Sequence, residues 1–346
     1  MSLETLYYQV KKAISLVDFK KIWPGFEPLK FALYDNETCF FDGQYITKTN
    51  DFCANTSICF QGEQIAIWMV AEKLDVSVLA SKLVHEMFHG YQTVQGWDCW
   101  PNEMEALYNY QYHAGNLSLK LRENEILLEL LDRFDTASCR ELLMSRKFRS
   151  EKYLYEFSYE SKVEEIEGTA NFVEWQVLKQ LDPEKASALT DRMRAAMTKP
   201  DYLFPIRISS YYTGALVINA LLQAGMYSFD PAVRPAALSV LKDIDGIDGQ
   251  FPENKTCIAT VTDAINTFNR KTEEIIQSAL DRNDIVLHGP FELVGLNIYD
   301  ARCFNGYLTS TFFLMYREDE ENKMIEGNFV IRMIDEKTID AVYRWK

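Results

Sequence analysis

A chain of 346 residues is long enough for two domains and for at least one full hydrophobic core, so no disulfide scaffold is required. With 47% hydrophobic and 25% charged residues, and only 15 glycines and 10 prolines, the composition is globular and excludes wholesale disorder. The 51 acidic side chains against 36 basic ones leave a net charge of −15, which repels phosphate backbones and anionic lipids, so neither nucleic acid nor a membrane is an expected partner.

Lys11, Lys12 and Asp18 interrupt the first residues, leaving no apolar stretch of the kind a signal peptide uses. The longest apolar runs, Ile65 to Ala71 and Ala215 to Leu222, are far too short to span a bilayer. Seven cysteines with no C-x-x-C pair suit reduced thiols, and a cytoplasmic address is expected. Residues 28 to 72 are rich in aromatic and β-favouring types broken by turn signals such as Asp42-Gly43, which predicts short antiparallel strands, the last from Gln64 to Val70. After Asp75, a candidate N-cap, apolar residues at 78, 79, 83, 87 and 88 predict a helix to about Tyr91. Helical patterns follow at about 102–119, 123–133, 138–146, 159–180, 184–196 and 211–224, with others in 231–243 and 257–281. From residue 285 five strand-like runs alternate with turns, which predicts a small antiparallel β unit. The expected class is α+β in three parts: an N-terminal α/β segment (1–72), a mainly helical domain (73–284) and a C-terminal β unit (285–346).

His85-Glu86-Met87-Phe88-His89 is an H-E-x-x-H, and on the helix over 75–91 its histidines stand one turn apart on one face with Glu86 beside them. Two imidazole nitrogens suit Zn²⁺, and the neighbouring carboxylate can take a proton from water. A catalytic zinc takes three protein ligands, so a third is needed. His113 and His288 are candidates, but an isolated histidine is more often structural or exposed. A stronger source is the segment from Glu160 to Glu174, where carboxylates at 160, 164, 167 and 174 share a helical face and repel unless a cation or solvent relieves them. In that segment Gly168 and Ala170 let another helix approach closely.

His85-Glu86-x-x-His89 followed by Glu167-Gly168-Thr169-Ala170 resembles the gluzincin, or thermolysin-like, superfamily of zinc metallopeptidases. The resemblance implies a thermolysin-like helical core and one catalytic Zn²⁺ held by His85, His89 and Glu167. It also implies Glu86 as general base, and an orienting group one turn beyond Glu167, where this chain has Asn171. Glu167 comes 78 positions after His89 (167 − 89), so extra helices are inserted between them. Tyr211-Tyr212-Thr213-Gly214 looks like the Tyr-x-x-Gly stretch of the aminopeptidase branch, which assigns oxyanion stabilisation to Tyr211, with Tyr212 as its neighbour. The strand Gln64 to Val70 resembles the edge strand to which such enzymes add an extended substrate, which would put Ile67 and Trp68, together with Tyr212, against it. The same run also reads as an ordinary buried strand. Glu63 stands where it could hold the free amine of an aminopeptidase substrate. The resemblance covers about residues 60 to 225.

The expected function is hydrolysis of peptide bonds in peptides or unfolded polypeptides. A binding module that keeps the scaffold, or a zinc hydrolase of non-peptide amides, fits the same residues. The aromatic-rich stretch over 96–158 is expected either to extend the core or to wall the cleft against folded proteins. Endo- against aminopeptidase action, and the oligomeric state, are open at this level.

Overall fold

Helix α1 (Leu3–Ile14) starts at Ser2, whose side chain accepts from the Thr5 N–H, and turns Leu3, Leu6, Tyr7, Val10 and Ile14 inward. After the short α2 (Phe19–Ile22) come five strands: β1 (Lys30–Tyr34), β2 (Cys39–Phe41), β3 (Gln44–Ile46), β4 (Thr56–Phe60) and β5 (Glu63–Met69). In this computed structural model, which describes residues 1–71, 74–227 and 254–345, the helix expected within 231–243 lies outside the described residues.

Asp42-Gly43 and Gln61-Gly62 take positive φ and close the β2–β3 and β4–β5 hairpins. The sheet order is β3-β2-β1-β5-β4, and β5 runs parallel to β1 with Lys30 opposite Ile65, so the sheet is mixed and not purely antiparallel as expected. Strand β5 is thus paired on both sides, and the edge beside it belongs to β4. Composition explains this: Ala66 is buried in the main core while Ile65 and Ile67 are buried with Tyr34, Phe41 and Phe52 on the other face, as a central strand requires.

Helix α3 (Val76–Val94) is capped by Asp75, which accepts from the Ser77 N–H. It is followed by α4 (Glu103–Asn109), α5 (Ala114–Asp132), α6 (Thr136–Lys152), α7 (Leu154–Val163), a π turn (Glu164–Gly168), α8 (Thr169–Leu181), α9 (Pro183–Met197), α10 (Ile206–Gln223) and α11 (Lys255–Arg282). The helices expected at 102–119 and 123–133 are divided differently, with the break at 110–113. One hydrophobic core joins α1, β1, α3, α5, α8 and α10.

A Cβ on Gly168 would fall 2.5 Å from the Gly214 Cα, and one on Gly214 would fall 2.7 Å from the Glu164 carbonyl oxygen. Only glycine at both positions lets α10 cross the π turn this closely.

The C-terminal unit has seven strands: β6 (Ile285–Leu296), β7 (Arg302–Phe304), β8 (Tyr307–Ser310), β9 (Phe313–Glu318), β10 (Glu321–Glu326), β11 (Phe329–Met333) and β12 (Thr338–Arg344). They form one antiparallel sheet in the order β10-β9-β6-β12-β11-β8-β7. Met104, Leu107 and Tyr108 of α4 pack on one hydrophobic cluster of the sheet, and Ile276 and Ala279 of α11 on another. The architecture is therefore α+β. No helix among the described residues is long and apolar enough to cross a membrane, and the seven cysteines are free of disulfides.

Candidate metal centre

The 3.6-residue period of α3 puts the His85 and His89 rings 4.8 Å apart, with their Nε2 atoms 3.1 Å from each other. The π turn delivers Glu167 to the same point: its Oε2 lies 3.5 Å from His85 Nε2 and 3.2 Å from His89 Nε2. Bonds of 2.0–2.1 Å to a tetrahedral zinc imply ligand–ligand separations of about 3.3 Å, and the three observed edges bracket that value.

The hydrogen bonds behind the rings fix which nitrogens are free. Gln92 donates through Nε2 to the Ile166 carbonyl (2.9 Å) and to Thr169 Oγ1 (2.8 Å), so its Oε1 turns to His89 and accepts from Nδ1–H at 2.7 Å. His85 Nδ1 faces Glu174 Oε2 at 3.2 Å as an ion-pair contact. Both Nε2 lone pairs and a carboxylate oxygen thus converge on one spot that demands positive charge. Without an ion a proton answers that demand: burial alone would lower the His85 pKa, but contacts with Glu167 and Glu174 and the charge of Glu86 overcome it and raise it to about 10. Glu167 is held well below the usual carboxylate range, because His89, His85 and Arg207 outweigh its burial. A divalent cation would displace the proton, and the donor set of two imidazoles and one carboxylate suits zinc.

Glu86 lines the cleft beside this triangle and, among the described residues, makes no hydrogen bond or ion pair. Burial pushes its pKa up, opposed by the histidines and reinforced by Glu167 and Glu174. Arg207 is the residue that sequence reasoning missed. It donates through Nη2 to Glu167 Oε1 (2.9 Å), through Nε to Glu103 Oε1 (3.0 Å), and through Nη1 to the Tyr211 hydroxyl. With Oε1 engaged, Glu167 offers only Oε2 to an ion. The Tyr211 ring lies parallel to His85 with centroids 6.4 Å apart, and burial with the charge of Glu167 keeps the phenol protonated, so it is a donor. Arg207 precedes Tyr211 by one helical turn and Gln92 follows His89 by three residues; those spacings were the available signals.

Several expectations are corrected. Asn171 lines the cleft, but the group facing His85 is Glu174, seven residues beyond Glu167 on the same helical face. Ile67 is fully buried under the sheet and cannot meet a substrate, whereas Trp68 and Tyr212 line the cleft, Tyr212 stacked on Tyr202. The free edge at the cleft belongs to β4, through Thr56 and Ser57, because β5 is central. Glu63 is ion-paired with Lys30 at 2.8 Å at the opposite end of β5, well away from the cleft, since seven strand residues span about 20 Å. His113 is exposed beside Glu156, and His288 is exposed in β6. Glu160 and Glu164 are buried among Lys120, Arg146 and Arg149, so basic side chains supply the cation that relieves them. Of the stretch over 96–158, Trp100 alone lines the cleft, its ring 6.0 Å from that of His89, while Trp97, Tyr110 and Phe157 are buried in packing.

The cleft holds about 1250 Å³, and its far wall comes from the C-terminal sheet through Tyr299, Phe312, Phe313, Met324 and Glu326. Glu174→Gln is expected to weaken zinc binding about 10- to 100-fold, because a carboxylate behind a ligating imidazole raises its basicity. Competition with a chromophoric chelator measures it, and unchanged affinity would remove Glu174 from the site. No family model, curated protein or solved structure matches the chain.

Proposed function

We propose that the chain is a zinc-dependent hydrolase of peptide bonds, of the gluzincin or thermolysin-like kind. The observation that carries this reading is the triangle of His85 Nε2, His89 Nε2 and Glu167 Oε2, with edges of 3.1, 3.2 and 3.5 Å, beside the unengaged Glu86. The bound ion would supply Lewis-acid polarisation of the scissile carbonyl and a lowered pKa for the attacking water.

The chain's own groups perform the rest. Glu86 takes the water's proton and returns it to the leaving amine, a role that its place in the cleft beside the two histidines and its lack of another partner among the described residues suit. Tyr211 donates its hydroxyl to the carbonyl oxygen as charge develops there, and Arg207 holds that phenol and Glu167 in place. The backbone of an extended substrate pairs with the free edge of β4 at Thr56 and Ser57, which takes the part expected of Gln64 to Val70.

Walls on both sides of the cleft favour peptides and unfolded chains over folded proteins, and the free thiols suit a cytoplasmic enzyme. The test is digestion of one substrate protein offered folded and, at equal concentration, unfolded and alkylated. New N-termini from the unfolded form are expected; no cleavage of either form contradicts the activity, and equal cleavage contradicts the exclusion of folded proteins.

A further inference from the structure

Single exposed apolar side chains are ordinary, but a cluster of them marks a contact surface, and four meet here: Trp100 (43% exposed), Tyr299 (50%), Phe312 (72%) and Met324 (50%) all line the cleft that holds His85, His89 and Glu167. Three of the four belong to the C-terminal unit, Met324 on β10 and Tyr299 and Phe312 on its loops, outside the stretch that carries the gluzincin resemblance. Phe312 is the most telling. It has φ of +67°, a left-handed conformation that glycine or asparagine adopts freely and a bulky side chain does not. Its N–H donates to Asn328 Oδ1 at 3.3 Å and its carbonyl accepts from the Gly327 N–H at 2.9 Å, so the backbone is pinned on both sides. Such strained residues cluster at ligand-binding and active sites, which is where Phe312 stands.

The neighbouring loop is braced to it. Asn297 Nδ2 donates to Thr311 Oγ1 at 3.0 Å, and Thr311 Oγ1 donates to Asp300 at 2.8 Å, which fixes the loop carrying Tyr299 against the one carrying Phe312. Tyr299 in turn stands edge-on to Tyr211, with centroids 6.5 Å apart. Met324 on β10 adds a flexible thioether that adapts to rings and branched chains alike.

Resting on the peptidase reading above, we propose that the C-terminal sheet is the substrate-selecting wall: Phe312, Tyr299 and Met324 form an apolar subsite for a large aromatic or aliphatic side chain of an extended polypeptide lying over the metal centre. A rigid aromatic pair supplies contact area with little entropy to lose, and the methionine makes the preference one of class, not of a single residue.

The test uses the full-length, zinc-loaded Glu86→Gln protein, which binds without turnover, and two fluorescently labelled, unstructured peptides that differ only in a central Phe or Ser. Fluorescence anisotropy is expected to give a Kd about tenfold lower for the Phe peptide. Adding Phe312→Gly should abolish that preference with zinc content unchanged and thermal stability unchanged or raised, since glycine relieves the backbone; Met324→Ser should reduce it. Ile334→Ser, at an exposed apolar position in the β11–β12 turn away from the cleft, should leave it intact. Equal Kd values for the two peptides, no binding of either, or a preference that survives both cleft substitutions would overturn the subsite. Wild-type cleavage of the same peptides is read separately: apolar-selective binding without hydrolysis retires the peptidase reading and leaves the subsite standing, while hydrolysis without preference does the reverse.

Discussion

Replacing Glu86 by Gln is expected to lower kcat/KM on an unfolded polypeptide about 10³- to 10⁴-fold while the protein still binds one zinc. The amide keeps the shape of the carboxylate and cannot accept the water's proton. His85, His89 and Glu167, the proposed ligands, are untouched by the change, so zinc content should equal that of the wild type. Glu86 makes no hydrogen bond or ion pair among the described residues, so its loss strands no partner and the fold should be unaffected. Steady-state kinetics beside metal analysis of the same preparation measure both halves. Wild-type turnover in the variant would remove Glu86 from the mechanism; loss of zinc would make it a ligand.

The second large effect lies in stability. Arg149 is fully buried and donates to Asn116 Oδ1 (2.8 Å), Glu123 Oε2 (2.7 Å) and Glu160 Oε2 (2.5 Å). Around it Lys120 pairs with Glu160 at 2.9 Å and Arg146 with Glu164 at 2.5 Å, so three acids face three bases. Arg149→Ala leaves a buried carboxylate uncompensated and should cost about 3–5 kcal/mol. Arg122, a surface residue with three carboxylate partners, should cost under about 1 kcal/mol when replaced in the same way. Denaturant unfolding of the two variants against wild type decides between a buried network and ordinary surface pairing.

The same network sets an acid limit. Burial would raise the Glu160 pKa, but Arg149 and Lys120 overcome it and hold it at about 2 against 4.5 for a free glutamate. A folded-state value below the unfolded one gives stability that is complete above pH 4.5 and lost as pH falls toward 2. The loss reaches the candidate metal site, because Glu164 of the same network opens the π turn that carries Glu167 and accepts from Thr213 of α10 at 2.6 Å.

What could be read from the sequence was local. The Asp75 cap and the apolar period fixed α3 to within a few residues, and helical spacing alone placed His85 and His89 on one face. The Glu167-Gly168 pair was legible because a glycine marks a close helix crossing, here against Gly214. What could not be read depends on distant segments meeting. Strand β5 became central because β1, thirty-five positions earlier in register, pairs with it in parallel; the apolar run told that the strand is buried on both faces, but not which strand would lie beside it. The π turn shifts the helical phase without any residue signature, and the approach of α10 chose Arg207 as the partner of Glu167. The wall of the cleft comes from residues more than two hundred positions beyond the histidines, where a strand pattern tells pairing but not what the sheet faces.

The most direct measurement of the central claim is a zinc titration of chelator-stripped protein, following hydrolysis of an unfolded polypeptide. Activity absent at zero zinc, rising in proportion to added metal and levelling at one equivalent per chain, is the expected result. Hydrolysis at full rate in the stripped protein, or none at any zinc level in folded protein, would contradict it.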